Sequence, residues 1–210
     1  MKKISVLDYG MGNIASLKNA IEKVGFQAEF FSDKKLINSN VLIVPGVGAF
    51  NAALQIFKLK KYNEIIKTFL KNNGNFLFGI CLGMQILLTD GEENEKTKGL
   101  NLIKGNVSKL KSNKKIKLPN VGTRKISIRN SVNFNFLEQY NKEKFYFVHS
   151  YIAKTENNNN VIATSEHEDI EFNSIITNRK NIIGTQFHPE KSSKVGLNFL
   201  EDLLKNILDK

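Results

Sequence analysis

The chain of 210 residues contains one cysteine, three prolines, no tryptophan, and only three arginines among its 31 basic residues. With Cys81 alone, no intramolecular disulfide can form, so stability has to come from a packed core, as in a reducing compartment. No apolar run approaches the roughly 18 residues that a membrane-spanning helix needs. The basic start M-K-K is followed by a short apolar stretch ending at Asp8, too brief for a secretion signal. A cytoplasmic protein is therefore expected, with no membrane partner. There is no P-loop, no dinucleotide fingerprint and no clustered set of metal ligands, so neither cofactor nor metal is expected. The net charge of +11 invites a nucleic-acid reading. The lysines, however, are spread along the whole chain, and no helix-turn-helix, zinc-knuckle or RNP-like pattern accompanies them. The charge is read as a general surface property, without a nucleic-acid partner.

What is present is an ordinary globular composition, 41% hydrophobic and 24% charged, enough for one domain over residues 1–210. Residues 3–8, 28–31, 41–44 and 75–80 read as strands. Between them, Ile14, Leu17, Ile21 and Val24 recur at helical spacing, and residues 49–71 read as helix with a break near Lys60. The run Val41-Leu42-Ile43-Val44 is too uniformly apolar for a half-exposed strand. Strand–helix alternation of this kind predicts a parallel sheet covered on both faces, with sites at the carboxyl ends of its strands. Beyond residue 91 the pattern changes. Residues 91–105 read as a polar loop, and 106–110, 125–129, 145–151, 161–164, 172–177 and 181–187 read as strands. The lysine-rich run 109–117 reads as a solvated hairpin or edge, or as a rim facing an acidic partner. A final helix starts at Ser192 or Ser193. The expected class is α/β: a mostly parallel central sheet with helices on both faces and a small additional antiparallel region.

The chemistry gathers on residues 75–88. An apolar strand ends at Gly79-Ile80-Cys81-Leu82-Gly83, and Met84 begins an apolar helix over 84–88. This is the cysteine counterpart of a nucleophile elbow, with glycines where a side chain would crowd the turn. At a helix N-terminus, a cysteine is helped toward thiolate. A lone cysteine is also often just a small buried hydrophobe, so a base and an oxyanion hole are needed to make the case. Of His149, His167 and His188, His167 falls in the acidic stretch 166–169, read as solvated and without a role. His188 lies two residues before Glu190. In an extended segment the two side chains project together, the carboxylate orienting the imidazole, with Pro189 stiffening the link. A strand-end histidine beside a surface glutamate is the plainer alternative. Gly46, Val47 and Gly48 offer backbone N–H groups for an oxyanion hole, and the N–H of Leu82 is the second natural donor.

The segments P-G-V-G-A-F (45–50), G-I-C-L-G-M-Q (79–85), F-V-H-S-Y (147–151) and Q-F-H-P-E-K-S (186–192) occur in that order. Together they resemble the class I (triad) glutamine amidotransferases. With V-L-D-Y-G-M-G-N-I (6–14), the chain is most similar to the glutaminase subunit of imidazole glycerol phosphate synthase. The resemblance implies that Cys81 attacks the side-chain amide of glutamine, with His188 as proton carrier and Glu190 as its orienter. It implies further that Gly46, Val47 and Gly48 form the oxyanion strand, and that Gln85, Ser150 and Tyr151 hold glutamine. Asn13 would face a (β/α)₈ barrel synthase subunit, which receives the ammonia within a heterodimer of the histidine pathway.

One segment departs from that subfamily. Its usual P-H-x-G-W-N motif is replaced by Pro119-Asn120-Val121-Gly122-Thr123-Arg124. Paralogues that deliver ammonia to surface-sugar precursors are the alternative this leaves open. A Cys-His hydrolase of γ-glutamyl or peptide substrates, and a binding module without activity, are alternatives of other classes.

Overall fold

The computed structural model describes residues 1–32, 37–111 and 117–208. Lys114 and Lys115 of the lysine-rich run lie outside the described residues. The first part of the chain alternates as expected: β1 (Lys3–Leu7), α1 (Ile14–Lys23), β2 (Gln27–Phe31), β3 (Val41–Val44), α2 (Phe50–Leu59), α3 (Tyr62–Phe69), β4 (Phe76–Ile80) and the single turn α4 (Leu82–Gln85). Then follow β5 (Asp90–Gly91), β6 (Thr97–Lys98), β7 (Gly105–Lys109), β8 (Asn120–Ile128), β9 (Lys144–His149), β10 (Tyr151–Thr155), β11 (Val161–His167), β12 (Ile170–Thr177), β13 (Ile182–Thr185) and α5 (Ser193–Leu208).

Nine strands form one sheet in the order β2-β1-β3-β4-β13-β12-β11-β8-β9. The pairings from β2 to β13 are parallel, and those from β13 to β9 are antiparallel. A smaller sheet, β10-β7-β5-β6, stands beside it. The antiparallel region is thus partly an extension of the main sheet and partly the small sheet, in which β5 and β7 nonetheless pair parallel.

Two apolar layers explain the uniformly hydrophobic strands. Ile4, Val6, Val41, Ile43, Phe76 and Phe78 point to the face packed by α1 and α5. Their neighbours Leu7, Leu42, Val44 and Leu77 point to the opposite face, packed by α2 and α3. Alternate residues of a strand face opposite sides, so a strand covered on both faces leaves little room for polar residues. The long helical stretch breaks where expected. The chain passes through Lys60 and through Lys61 at φ 56 before α3 begins.

Four local expectations are corrected. The helix expected over 84–88 is only α4, which ends at Gln85. The carbonyls of Ile86, Leu87 and Leu88, which a longer helix would use, accept instead from the N–H groups of Leu100, Leu102 and Asn101. Gly99 makes that close approach possible, since a Cβ there would lie 2.2 Å from the Leu88 oxygen. The strand expected over 145–151 is two strands, β9 in the main sheet and β10 in the small one, with Ser150 at the crossing. Strand β8 begins at Asn120, ahead of the expected 125, so the departing segment is itself a strand paired with β9. His167 is not solvated. It closes β11, 5% exposed, between the Arg124 guanidinium (3.1 Å) and the carbonyl of Lys117 (2.9 Å).

Candidate active site

Strand β4 lies inside the sheet, between β3 and β13, and delivers Cys81 at its carboxyl end. The residue sits at φ 55, ψ −110, a backbone state that side-chain-bearing residues rarely adopt and that costs about 1–3 kcal/mol. The surrounding packing holds it there. The Cys81 N–H bonds to the carbonyl of Thr185 at 2.7 Å, and its own carbonyl accepts from Met84 and Gln85. The two flanking glycines have a direct cause. A Cβ on Gly83 would lie 1.8 Å from the Val44 oxygen, and one on Gly79 would lie 2.5 Å from the Gly83 oxygen. The elbow is pressed against β3 so tightly that no side chain fits between them.

His188 follows β13, next to β4 in the sheet, and this adjacency brings the imidazole to the sulfur. Its backbone is held by N–H donation to the Tyr146 carbonyl (2.9 Å) and by the Ser192 hydroxyl on its own carbonyl (2.6 Å). Ser192 therefore spends its hydroxyl on the site, while its carbonyl takes the first bond of α5 from Gly196. The His188 Nδ1 and the Glu190 Oε1 are 2.8 Å apart, with the side chains 2% and 5% exposed. The two residues do not lie along one extended run, as expected. Glu190 belongs to a 3₁₀ turn, Pro189–Lys191, which folds the carboxylate back onto the ring. An ionised carboxylate only accepts, so Nδ1 carries the proton and Nε2 is left for Cys81. Burial alone disfavours the charged ring, but the adjacent Cys81 sulfur and then Glu190 outweigh it and raise the His188 pKa to about 10. That is the electrostatic setting of a nucleophile with its base and orienter.

Cys81 opens into a cavity of ≈ 570 Å³. Val47, Gly48, Leu82, Gln85, Ser150 and Tyr151 all line it. Gly46 does not. It lies beneath, where a Cβ would fall 2.5 Å from the Tyr9 hydroxyl and 2.9 Å from Leu82. Tyr9 donates to the Pro45 carbonyl at 2.8 Å, and burial first, then the Cys81 sulfur, push its own pKa up. Asn13 caps α1 by accepting from the Ser16 N–H at 3.3 Å.

Four residues of the site were not singled out from the sequence. Glu93 lines the cavity and accepts from the Phe50 N–H at 2.7 Å, at the start of α2. It comes from the polar loop G-E-E-N-E, where three similar carboxylates gave no reason to prefer one. Lys191 lines the same cavity. The other two, His149 and Gln186, lie in motifs that had been noticed, without a role of their own. His149 Nδ1 meets the Tyr151 carbonyl at 2.9 Å, and its Nε2 meets Asn120 Nδ2 at 3.0 Å. A carbonyl only accepts and an amide nitrogen only donates, so the ring is neutral with its proton on Nδ1. Burial accordingly lowers its pKa to about 4. The departing Asn120 thus faces the interior and braces the cavity-lining segment 149–151, whereas Thr123 is exposed.

The family model of the class-I glutamine amidotransferases matches residues 5–207. The chain belongs to this family. Among its relatives, a protein named imidazole glycerol phosphate synthase subunit HisH 2, from Methanococcus maripaludis, is 40% identical over 205 residues, covering 96% of this chain and 98% of the relative. A subunit HisH from Bacillus subtilis is 36% identical, covering 96% and 95%. Among solved structures, a glutamine amidotransferase aligns with TM-score 0.73 at 14% identity, covering 99% of this chain and 100% of that one. PurLQS from Thermotoga maritima aligns with TM-score 0.73 at 20% identity, covering 99% and 98%. At such identities these two show a shared fold alone. No helix among the described residues is long and apolar enough to cross a membrane.

Proposed function

We propose that this amidotransferase is the glutaminase subunit of an imidazole glycerol phosphate synthase. It would split glutamine into glutamate and ammonia and pass the ammonia to a (β/α)₈ barrel subunit in a cytoplasmic heterodimer. The observation that carries the reading is Cys81 on a strained elbow at the cavity floor, next to the buried His188–Glu190 pair. Relatives named for that synthase, covering nearly the full chain, support the pathway.

In this reading His188 already holds the proton as the Cys81 sulfur attacks the side-chain amide carbon, and gives it to the departing nitrogen. Ammonia leaves and a thioester remains. Water then attacks the thioester carbon, gives its proton to His188, and glutamate is released as the sulfur regains a proton. The N–H of Leu82 and the Gly46–Val47–Gly48 turn supply donors for the oxyanion of both tetrahedral states. Gln85, Ser150 and Tyr151 line the substrate side, and the Glu93 carboxylate is matched to the α-ammonium group of an amino acid. A peptide or γ-glutamyl hydrolase would share the elbow, but the family match supports the amidotransferase.

Replacing Cys81 by Ala tests the assignment. Glutaminase turnover is expected to vanish, while synthesis from added ammonium salt by the reconstituted complex continues. Residual glutamine turnover in that variant overturns the reading. One observation favours a second acceptor: exposed Thr123 and half-buried Arg124 stand where the subfamily has tryptophan and asparagine. Reconstitution with the histidine-pathway barrel, against a sugar-precursor amidotransferase, separates the two by which partner yields glutamine-dependent product.

A further inference from the structure

Gln186 belongs to a strand end and is completely buried, yet it makes none of the contacts that the triad accounts for. Its backbone N–H is tied to the Ser174 carbonyl at 2.9 Å, which fixes the origin of the side chain. The orientation of its amide follows from its neighbours. The Tyr151 carbonyl only accepts, so the Gln85 atom 2.9 Å from it is the NH₂ group. That same NH₂ lies 3.1 Å from the Gln186 amide, which must therefore present its oxygen. The Gln186 NH₂ is left pointing at the Cys81 sulfur, at 3.6 Å.

We infer that Gln186 is a further catalytic residue: its amide N–H donates to the Cys81 sulfur, and Gln85 keeps it from turning its oxygen there instead. A donor aimed at the sulfur from a dry interior strengthens as charge builds on it, so it favours the ionised nucleophile over the thiol. The Gln186 amide is then a neighbour of the sulfur in addition to the His188 ring, whose protonation the sulfur favours. Gln85 is thereby given a task besides lining the pocket, because a residue there without an NH₂ would let the Gln186 amide rotate. The tie also reaches outward. The Tyr151 carbonyl that anchors Gln85 is shared with His149, whose other nitrogen is held by Asn120.

The kinetic part of this inference rests on the glutaminase reading; the thiol part does not. Since Cys81 is the only cysteine, alkylation by iodoacetamide reports on it alone. For Gln186→Met, which keeps the volume and removes the donor, the pH midpoint of alkylation is expected to rise by about one unit, and kcat for glutamine to fall about tenfold with KM nearly unchanged. Gln186→Glu, closest in shape and a second route should the Met variant fail to fold, is expected to shift the midpoint further upward by placing a carboxylate against the sulfur. A folded variant whose alkylation midpoint matches the parent overturns the inference. A shifted midpoint in a chain that never hydrolyses glutamine sinks the glutaminase reading while supporting the role of Gln186.

Discussion

His149 shows how far one buried side chain can set the behaviour of the protein with pH. Burial, with smaller contributions from His167, His188 and Arg124, holds its pKa at about 4, against the pull of the Tyr151 carbonyl. In the unfolded chain a histidine takes up its proton near pH 6.5. Between those values the unfolded state binds more protons, so stability is fully present above pH 6.5 and falls on acidification toward 4, by up to about 3 kcal/mol. Urea unfolding followed from pH 7 to pH 4 measures this, and His149→Gln is expected to flatten the slope. An equally steep slope in that variant contradicts the assignment. His188 works in the opposite sense. Its pKa is raised to about 10, so its contribution is complete below 6.5 and is lost as pH rises through 10. Neither effect on stability was legible from sequence, where His188 was singled out for its chemistry but the burial that shifts both rings is invisible.

At the level of elements, α5 and the turn before it form a single device. Gly196 lies in the first turns of α5, where alanine ordinarily adds about 1 kcal/mol to helix stability. Here a Cβ would fall 2.0 Å from the Pro189 oxygen and 2.6 Å from Ser192 Cβ. Packing overrides propensity, because that contact lets the helix press against the turn carrying Glu190. Gly196→Ala is expected to lower the thermal midpoint rather than raise it, and to cost glutaminase activity at temperatures where the fold persists. A more stable and fully active variant refutes the argument. Helices and buried strands were readable as periodic patterns, down to the break near Lys60. The end of α4 was not, because it is decided by residues 100–103 bonding back to the carbonyls of residues 86–88. The split between β9 and β10 was likewise hidden. An apolar run such as F-Y-F-V-H-S-Y carries no mark of which sheet each half will join.

For the whole molecule, six distant stretches meet at one cavity: the turn after β3, the elbow, the loop at Glu93, Pro119 ahead of β8, the sheet crossing at Ser150, and Lys191 of the turn after His188. Val47 is 38% exposed at that cavity, and Val121 in the departing strand is 49% exposed. Ammonia released to water would be protonated, so the proposed function calls for a partner that seals the site. Low glutaminase turnover by the isolated chain is expected, with a large rise once the barrel subunit and its ligand are added. Full turnover by the chain alone would remove the reason for gating.

The order of the motifs, the lone cysteine on its glycine-flanked turn and the spacing of His188 and Glu190 determined the family and pointed to the proposed nucleophile. They are local features, set by backbone sterics and by which residue types can do acyl chemistry. The tertiary structure decided what surrounds them. Asn120 turned inward to His149, Glu93 entered the cavity, and Gln186 came to face the sulfur. Each depends on which strands become neighbours, and that is settled by burying two apolar layers at once rather than by any short stretch of chain.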